Sequence, residues 1–329
     1  MKESERNRTL IEFEGDSGGP LLVVIGAIHG NELAGLKALE LVGKMLEVEP
    51  VTNPDFYFHG KMIGIVGNWP AIDRKVRFIE DDLNRIWYAD RISKIRGMHP
   101  SERSIEENEL LEILNTIHFH IEHYNPTELI LLDLHTTSSG GGIFAIPTRD
   151  PKSLFIAQNL HAPVILEMLD GISGTTLHYF TRSNFSSLRT TAVAFEAGQH
   201  EDERSVNRCI AAIISCLRSI GCVNQSDVET IHDEVLQLYS ERLPKISKLL
   251  YRHEISNGDG FSMIKGFKNF DFIEKGTLLA NDHTGPIYAK ESGRLLMPLY
   301  QDQGSEGFFI ISTTKNETLI ADAATANLS

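Results

Sequence analysis

Over its first two thirds, the chain alternates between strand-like and helix-like spacing of apolar residues. Thr9 to Glu14 alternates in polarity, as a half-buried strand does. Leu21 to Ile28 is an unbroken run of apolar and glycine residues, the pattern of a central strand covered on both faces. Between these two, Gly15-Asp16-Ser17-Gly18-Gly19-Pro20 predicts a turn. From Asn31 the period changes: Leu33, Leu36, Leu39, Val42 and Leu46 recur at three- and four-residue steps and predict a helix.

Phe56 to Val66 and Leu129 to Leu134 read as further strands, the second again buried, with Gly140-Gly141-Gly142 in the loop beyond it. Ser104-Ile105-Glu106-Glu107 is a capping-box pattern that opens a helix towards Tyr124. Thr191 to Phe195 predicts a short strand, and Ile210, Ile213, Ile214 and Leu217 mark one face of a helix from about Glu203 to Ser219. Asn68 to Pro100 lacks periodicity and carries many charges. It reads as a long irregular connection, of a kind that often bears function. After about residue 240 the helical stripe disappears, and Ile255 to Tyr300 holds many glycines and short strand-like pieces. The expectation is an α/β domain over residues 1–235, followed by a small β-rich domain over 236–329.

Composition adds exclusions. Hydrophobic residues make up 41% of the 329, enough for a substantial core. A formal net charge of −14 disfavours nucleic acid or an anionic membrane as partner. It leaves room for a small anionic substrate, because local arginines can reverse the sign in a pocket. The longest apolar run is far too short to span a bilayer. Residues Met1 to Arg8 are charged with no apolar stretch behind them, so no secretory signal is expected. Three cysteines, an odd number, argue against a disulfide framework. Cys209, Cys216 and Cys222 read as buried packing residues, and the expected compartment is the cytoplasm.

Open α/β sheets place their sites beyond the C-terminal ends of strands, and three candidate groups fall there. His29 would leave the tip of the first buried strand and Glu32 would sit in the first helical turn, with Gly30 permitting the sharp reversal between them. His135 ends the second buried strand. Two histidines and one glutamate make a catalytic zinc set with a fourth position left for water. Glu196 follows the Thr191–Phe195 strand and is placed to act as general base. The irregular connection adds Arg77-Phe78-Ile79-Glu80-Asp81-Asp82-Leu83-Asn84-Arg85, whose guanidinium groups suit a carboxylate. Each of these pieces has an ordinary structural explanation by itself; their convergence on strand ends of one domain does not.

Taken in order, His29-Gly30-Asn31-Glu32, Asp82-Leu83-Asn84-Arg85, Asp133-Leu134-His135-Thr136-Thr137 and Phe195-Glu196 resemble the succinylglutamate desuccinylase/aspartoacylase family, relatives of the zinc carboxypeptidases. The resemblance spans roughly residues 20 to 200. It implies a mixed central sheet flanked by helices, with the C-terminal β domain shaping the site entrance. It further implies one zinc ion per chain, held by His29, Glu32 and His135, and Glu196 as activator of water. Arg77 would polarise the scissile carbonyl, and Asn84 and Arg85 would hold a substrate carboxylate. The expected substrate is a small N-acyl amino acid or similar amide, with homo-oligomerisation left open. The family pattern also has a late substrate-binding tyrosine, where Leu299 to Phe309 offers Phe308 or Phe309, with Tyr288 and Tyr300 nearby. A further substrate arginine falls to Arg182 or Arg189.

Three competing readings are set beside this one. Asp16-Ser17-Gly18-Gly19-Pro20 spells the nucleophile motif of trypsin-like serine proteases, but only sixteen residues precede Ser17, too few to build two barrels. A zinc carboxypeptidase acting on peptides needs an open groove, and a non-catalytic binding protein of the same fold needs no intact ligand set.

Overall fold

The computed structural model describes residues 7–224, 231–256 and 258–312; the charged residues 1–6 and the end of the C-terminal region, 313–329, lie outside them. The first half runs β1 (Thr9–Glu14), β2 (Asp16–Gly26), α1 (Ala34–Thr52), β3 (His59–Val66), α2 (Trp69–Arg74), α3 (Ala89–Arg96), α4 (Ile105–Tyr124) and β4 (Glu128–Thr137). Next come β5 (Phe144–Pro147), α5 (Pro151–Asn159), β6 (Val164–Leu166), α6 (Thr176–Tyr179), β7 (Arg189–Gln199), α7 (Arg204–Ser219) and α8 (Ile231–Ser240). The remainder is β8 (Ile246–Glu254), β9 (Ser262–Met263), β10 (Phe272–Ile273), β11 (Leu278–Asp282), β12 (Gly285–Tyr288), β13 (Gly293–Leu296) and β14 (Glu306–Ile311).

Eleven strands form one mixed sheet in the order β1-β3-β2-β4-β7-β5-β6-β8-β14-β13-β10, and β12-β11-β9 form a small second one. The centre is parallel, with β2 between β3 and β4, and β7 beyond β4. Strands β5 and β14 enter antiparallel to β7 and β8, so the sheet is mixed. The apolar runs read from the sequence are the strands buried on both faces. Leu22, Val24, Ile130 and Leu132 face one core with Ala38, Leu39 and Val42 of α1 and Ile213 of α7. Leu21, Val23, Ile25, Leu129 and Leu131 face the other, with Leu110, Ile113 and Ile117 of α4. A strand sandwiched this way has no polar face, so its alternation is invisible in the sequence. A third, smaller core lies among the C-terminal strands; Phe308 and Ile310 of β14 point into it, while Phe309 and Ile311 point into the second.

Two local expectations are corrected. The stretch Gly15–Pro20 is not a turn between strands: Gly15 alone connects them, and Asp16–Pro20 belongs to β2. Asp16 lies opposite His59 but Leu21 lies opposite Lys61, so the segment bulges out of register. Gly18 takes a left-handed φ of 82° and a Cβ on Gly19 would sit 2.5 Å from Gly60 Cα, which accounts for the glycines. Ser17 thereby sits at the end of β2 opposite to His29. The Asn68–Pro100 connection is not wholly irregular either, since it contains α2 and α3. These helices are too short for a period to register. All three cysteines are free and buried, as expected, and burial pushes the Cys216 thiol up to about 12.

Helix α4 opens with the predicted capping box: Ser104 Oγ accepts from Glu107 N at 3.2 Å and Glu107 Oε2 accepts from Ser104 N at 3.0 Å. The neighbouring Glu106 does more. Fully buried, it accepts from Ile79 N at 2.7 Å, from Glu80 N and Asp81 N at 3.1 Å each, and from Asn68 Nδ2 at 3.1 Å. Four donors satisfy one carboxylate and tie the charged connection to the start of a core helix. In Glu106→Gln an amide N–H2 replaces an acceptor and faces a backbone N–H. A loss of about 3 kcal/mol in chemical denaturation is expected; a loss below about 0.5 kcal/mol would mean that the carboxylate does not hold the loop.

Candidate metal centre and active site

The site is assembled where the parallel strands end. Leu134 lies beside Gly26 on one side and Phe195 on the other, and His135 is directly opposite Glu196. Adjacent strands lie about 4.8 Å apart, so this register alone brings His135 and Glu196 to one level. Past Gly26 the chain turns off the sheet at Ala27, which adopts a left-handed φ of 56°. His29 to Glu32 then forms a compact turn closed by Glu32 N donating to His29 O at 3.1 Å. Glu32 therefore stands ahead of α1 and not in its first turn. Gly30 is required for a different reason from the reversal read in the sequence. A Cβ there would meet the backbone carbon of Ala71 at 2.2 Å, and Gly30 N donates to Arg77 O at 3.0 Å. The metal-candidate turn and the arginine-bearing connection are thus stitched together backbone to backbone.

His29, Glu32 and His135 are all buried, and each offers a ligand atom within 4.8 Å of the others. His29 Nδ1 lies 2.8 Å from Glu32 Oε1, and His135 Nδ1 lies 3.1 Å from Glu32 Oε2. The far nitrogens are also engaged: His29 Nε2 lies 3.1 Å from Asp82 Oδ1, and His135 Nε2 lies 3.2 Å from Asp133 Oδ2. A carboxylate behind each imidazole fixes its tautomer and aims the other nitrogen at a common point. Two imidazoles and a carboxylate so oriented can hold a metal ion. Asp133 Oδ2 accepts in turn from Thr176 Oγ1 at 2.6 Å.

The charges are closely matched. Burial opposes ionisation of Glu32, but His29 and His135 hold it well below the usual carboxylate range. Burial likewise opposes protonation of His135, yet Asp133 and Glu32 raise its pKa well above the ordinary imidazole value. Burial acts on Asp82 too, and Arg77 and His29 outweigh it to lower the pKa well below the usual range. Glu196 goes the other way. Burial pushes it up to about 8, its neighbours Glu32 and Asp133 adding to the effect, and its Oε2 is buried with no hydrogen-bond partner. Such an acceptor needs a partner from outside the chain.

Arg77 Nε donates to Asp82 Oδ2 at 3.1 Å and Nη1 to Glu32 Oε1 at 3.2 Å, which fixes its guanidinium beside the histidines. Asn84 Oδ1 accepts from Thr176 N at 2.9 Å, and its Nδ2 lies 3.3 Å from His135 Nε2. Arg85 is forked onto Glu306, with Nη2 to Oε2 at 2.7 Å and Nε to Oε1 at 3.3 Å, and Nη1 donates to Asn84 O at 2.8 Å. All seven residues singled out in the sequence (His29, Glu32, Arg77, Asn84, Arg85, His135 and Glu196) line one cavity. Phe309, not Phe308, also lines it. Tyr288 and Tyr300 do not. The Tyr300 hydroxyl donates to Ile264 O and Phe267 O at 2.9 and 3.1 Å. Neither Arg182 nor Arg189 lines it; Arg189 begins β7, at the end opposite Glu196.

Sequence reasoning missed Asp82 and Asp133 as orienting groups, together with Thr176 and Glu306. An acid two residues before His135 was visible, as was Asp82 in the charged connection. Nothing in the spacing paired either with a histidine.

With this geometry in place, the comparisons are informative. The model of the succinylglutamate desuccinylase/aspartoacylase catalytic domain matches residues 18–219. The chain belongs to the succinylglutamate desuccinylase/aspartoacylase family. The family is one of hydrolases that act as deacylases, as the names of its members state. The chain is 24% identical over 298 residues to a succinylglutamate desuccinylase of Pseudomonas putida, covering 87% of this chain and 80% of that one. Among solved structures it is similar to a succinylglutamate desuccinylase from Vibrio cholerae, with 19% identity and a TM-score of 0.58 over 91% of this chain and 84% of that one. It is also similar to the ectoine utilization protein EutE from Ruegeria pomeroyi, with 16% identity and a TM-score of 0.59 over 91% and 87%. At these identities the structural matches speak for the fold, a mixed sheet flanked by helices. Among the described residues, no helix is long and apolar enough to cross a membrane.

The backing carboxylates generate a prediction. Asp82→Asn and Asp133→Asn should each weaken divalent-metal binding about 10- to 100-fold. Titration against a chromogenic chelator measures this, and unchanged affinity in both variants would remove the two aspartates from the centre.

Proposed function

We propose that this chain is a zinc-dependent deacylase that hydrolyses the amide bond of a small N-acyl amino acid or similar carboxylate-bearing amide. One observation carries the reading: two imidazole Nδ1 atoms converge on the Glu32 carboxylate, beside a buried Glu196 oxygen with no partner in the chain. His29, Glu32 and His135 would hold one zinc ion per chain, a donor set that leaves a coordination position free. Bound zinc supplies a Lewis acid for the carbonyl and lowers the pKa of water towards neutrality.

The chain's own groups account for the rest. Glu196 takes a proton from the attacking water and returns it to the amine nitrogen as the C–N bond breaks. A cation nearby works against the burial that raises its pKa, which favours the ionised base. Arg77 retains N–H donors beyond those given to Asp82 and Glu32, and it donates to the developing oxyanion. Asn84 and Arg85 orient a substrate carboxylate; Arg85 keeps two of its five N–H donors after its bonds to Glu306 and Asn84 O. The same reading divides the chain at about residue 235, with the C-terminal part shaping the entrance. It places the enzyme in the cytoplasm, with neither nucleic acid nor membrane as partner.

Two tests follow. Removing metal with a chelator should abolish hydrolysis of an N-acyl amino acid panel, and zinc should restore it. Hydrolysis that persists without metal would end this proposal. Glu196→Gln should bind metal at unchanged stoichiometry and lose about 10³-fold or more in kcat, within the range of general-base removal. Arg77→Ala should cost about 10²- to 10³-fold in kcat with metal retained. Substantial residual turnover in either variant would reassign that residue.

A further inference from the structure

The cavity is chemically divided. Its reactive side carries the histidines, Glu32, Arg77 and Glu196. Much of the remaining lining is hydrocarbon and belongs to one hydrophobic cluster: Ile146 of β5, Leu169 and Ile172 of the segment before α6, Leu177 of α6, Met297 after β13, and Phe309 of β14. These side chains come from five separate stretches of chain and meet at one wall. Ile146, Leu177 and Phe309 are buried, and Leu169, Ile172 and Met297 are partly exposed.

The cationic groups on this cavity are few, and each is already matched. Arg77 is paired with Glu32 and Asp82, and Arg85 with Glu306, whose own pKa burial would raise but Arg85 lowers. No lysine and no third arginine lines the cavity among the described residues. The residual donors of Arg85 can satisfy one carboxylate. A second carboxylate would have to compete with the oxyanion for the remaining donors of Arg77, or lie against the hydrocarbon wall, where an ionised group without a partner is strongly disfavoured.

From this, and resting on the deacylase reading, we infer that the substrate carries one carboxylate and one uncharged, apolar group seated against Leu169, Ile172 and Phe309. The matched guanidinium groups exclude an N-acyl dicarboxylic amino acid as the preferred substrate. The apolar group sits either on the amino acid or on the acyl chain; both present the same hydrocarbon to the wall.

The zinc-loaded enzyme is assayed with four sets. N-acetyl-leucine and N-acetyl-methionine place the apolar group on the amine side, and N-hexanoyl-glycine places it on the acyl side. N-acetylaspartate and N-succinylglutamate carry the second carboxylate, and N-acetylglycine is the bare reference. One of the apolar sets should exceed the dicarboxylic pair by at least about 100-fold in kcat/KM. Along a linear series of that set, kcat/KM should rise about fourfold per added methylene. Leu169→Arg and, independently, Ile172→Arg should lower the apolar preference at least tenfold and raise turnover of N-acetylaspartate. Circular dichroism melts show which variant is folded and can be read. Calorimetric binding of the same compounds to Glu196→Gln provides a readout apart from turnover, with the same order of affinity expected. Preferred hydrolysis of the dicarboxylic pair, or no preference, overturns this inference and leaves the deacylase reading standing. No hydrolysis of any compound by zinc-loaded enzyme overturns both.

Discussion

The parallel register of β2, β4 and β7 is the constraint on which the centre depends. Gly26 pairs with Leu134, Leu134 with Phe195, and His135 with Glu196, so the turn that follows β2 starts one residue's level from the His135 and Glu196 side chains. A slip of one residue in β4 would turn His135 towards the wrong face and exchange its apolar neighbours between the two cores. Because Leu22, Val24, Ile130 and Leu132 fill one core and Leu21, Val23, Leu129 and Leu131 the other, such a slip would misplace side chains on both sides at once. The chemistry is held in place by packing that lies well below it.

Above the strand tips, the governing interactions are electrostatic and nearly closed. Four carboxylates, of Glu32, Asp82, Asp133 and Glu306, each have a cationic or imidazole partner at hydrogen-bond distance. Glu196 has no such partner, and burial resists its ionisation; its Oε2 and the Oδ1 of Asp133 are the buried carboxylate oxygens left over in the site. Buried polar networks are costly when half satisfied, so the unpaired Glu196 oxygen, which lies on the cavity, marks where an outside atom belongs.

What the sequence disclosed and what it withheld follow one physical division. His29, Glu32, His135 and Glu196 were legible because strand ends announce themselves through apolar runs that stop. The central strands, α1, α4 and α7 were legible through hydrophobic periods. Polar pairings between distant segments have no period, so the alignment of Asp82 with His29, of Glu306 with Arg85 and of Thr176 with Asp133 could not be read. Backbone conformation was equally hidden. Ala27, not Gly30, takes the left-handed turn, and the glycines of Gly15–Pro20 serve a bulge and a close approach to Gly60 rather than a reversal.

The grip of Glu106 on Ile79, Glu80 and Asp81 has a bearing on how such a protein diversifies. A long connection is ordinarily the part of a fold most free to drift. Here Ile79 to Asp81 are anchored to a core helix and Arg77 to Gly30, so the polar rim that carries Arg77, Asp82, Asn84 and Arg85 tolerates little change in length or path. The apolar lining is built from interchangeable hydrocarbon side chains on several independent segments. Descendants of this chain can exchange those residues one at a time and acquire new preferences while the reactive half is inherited intact.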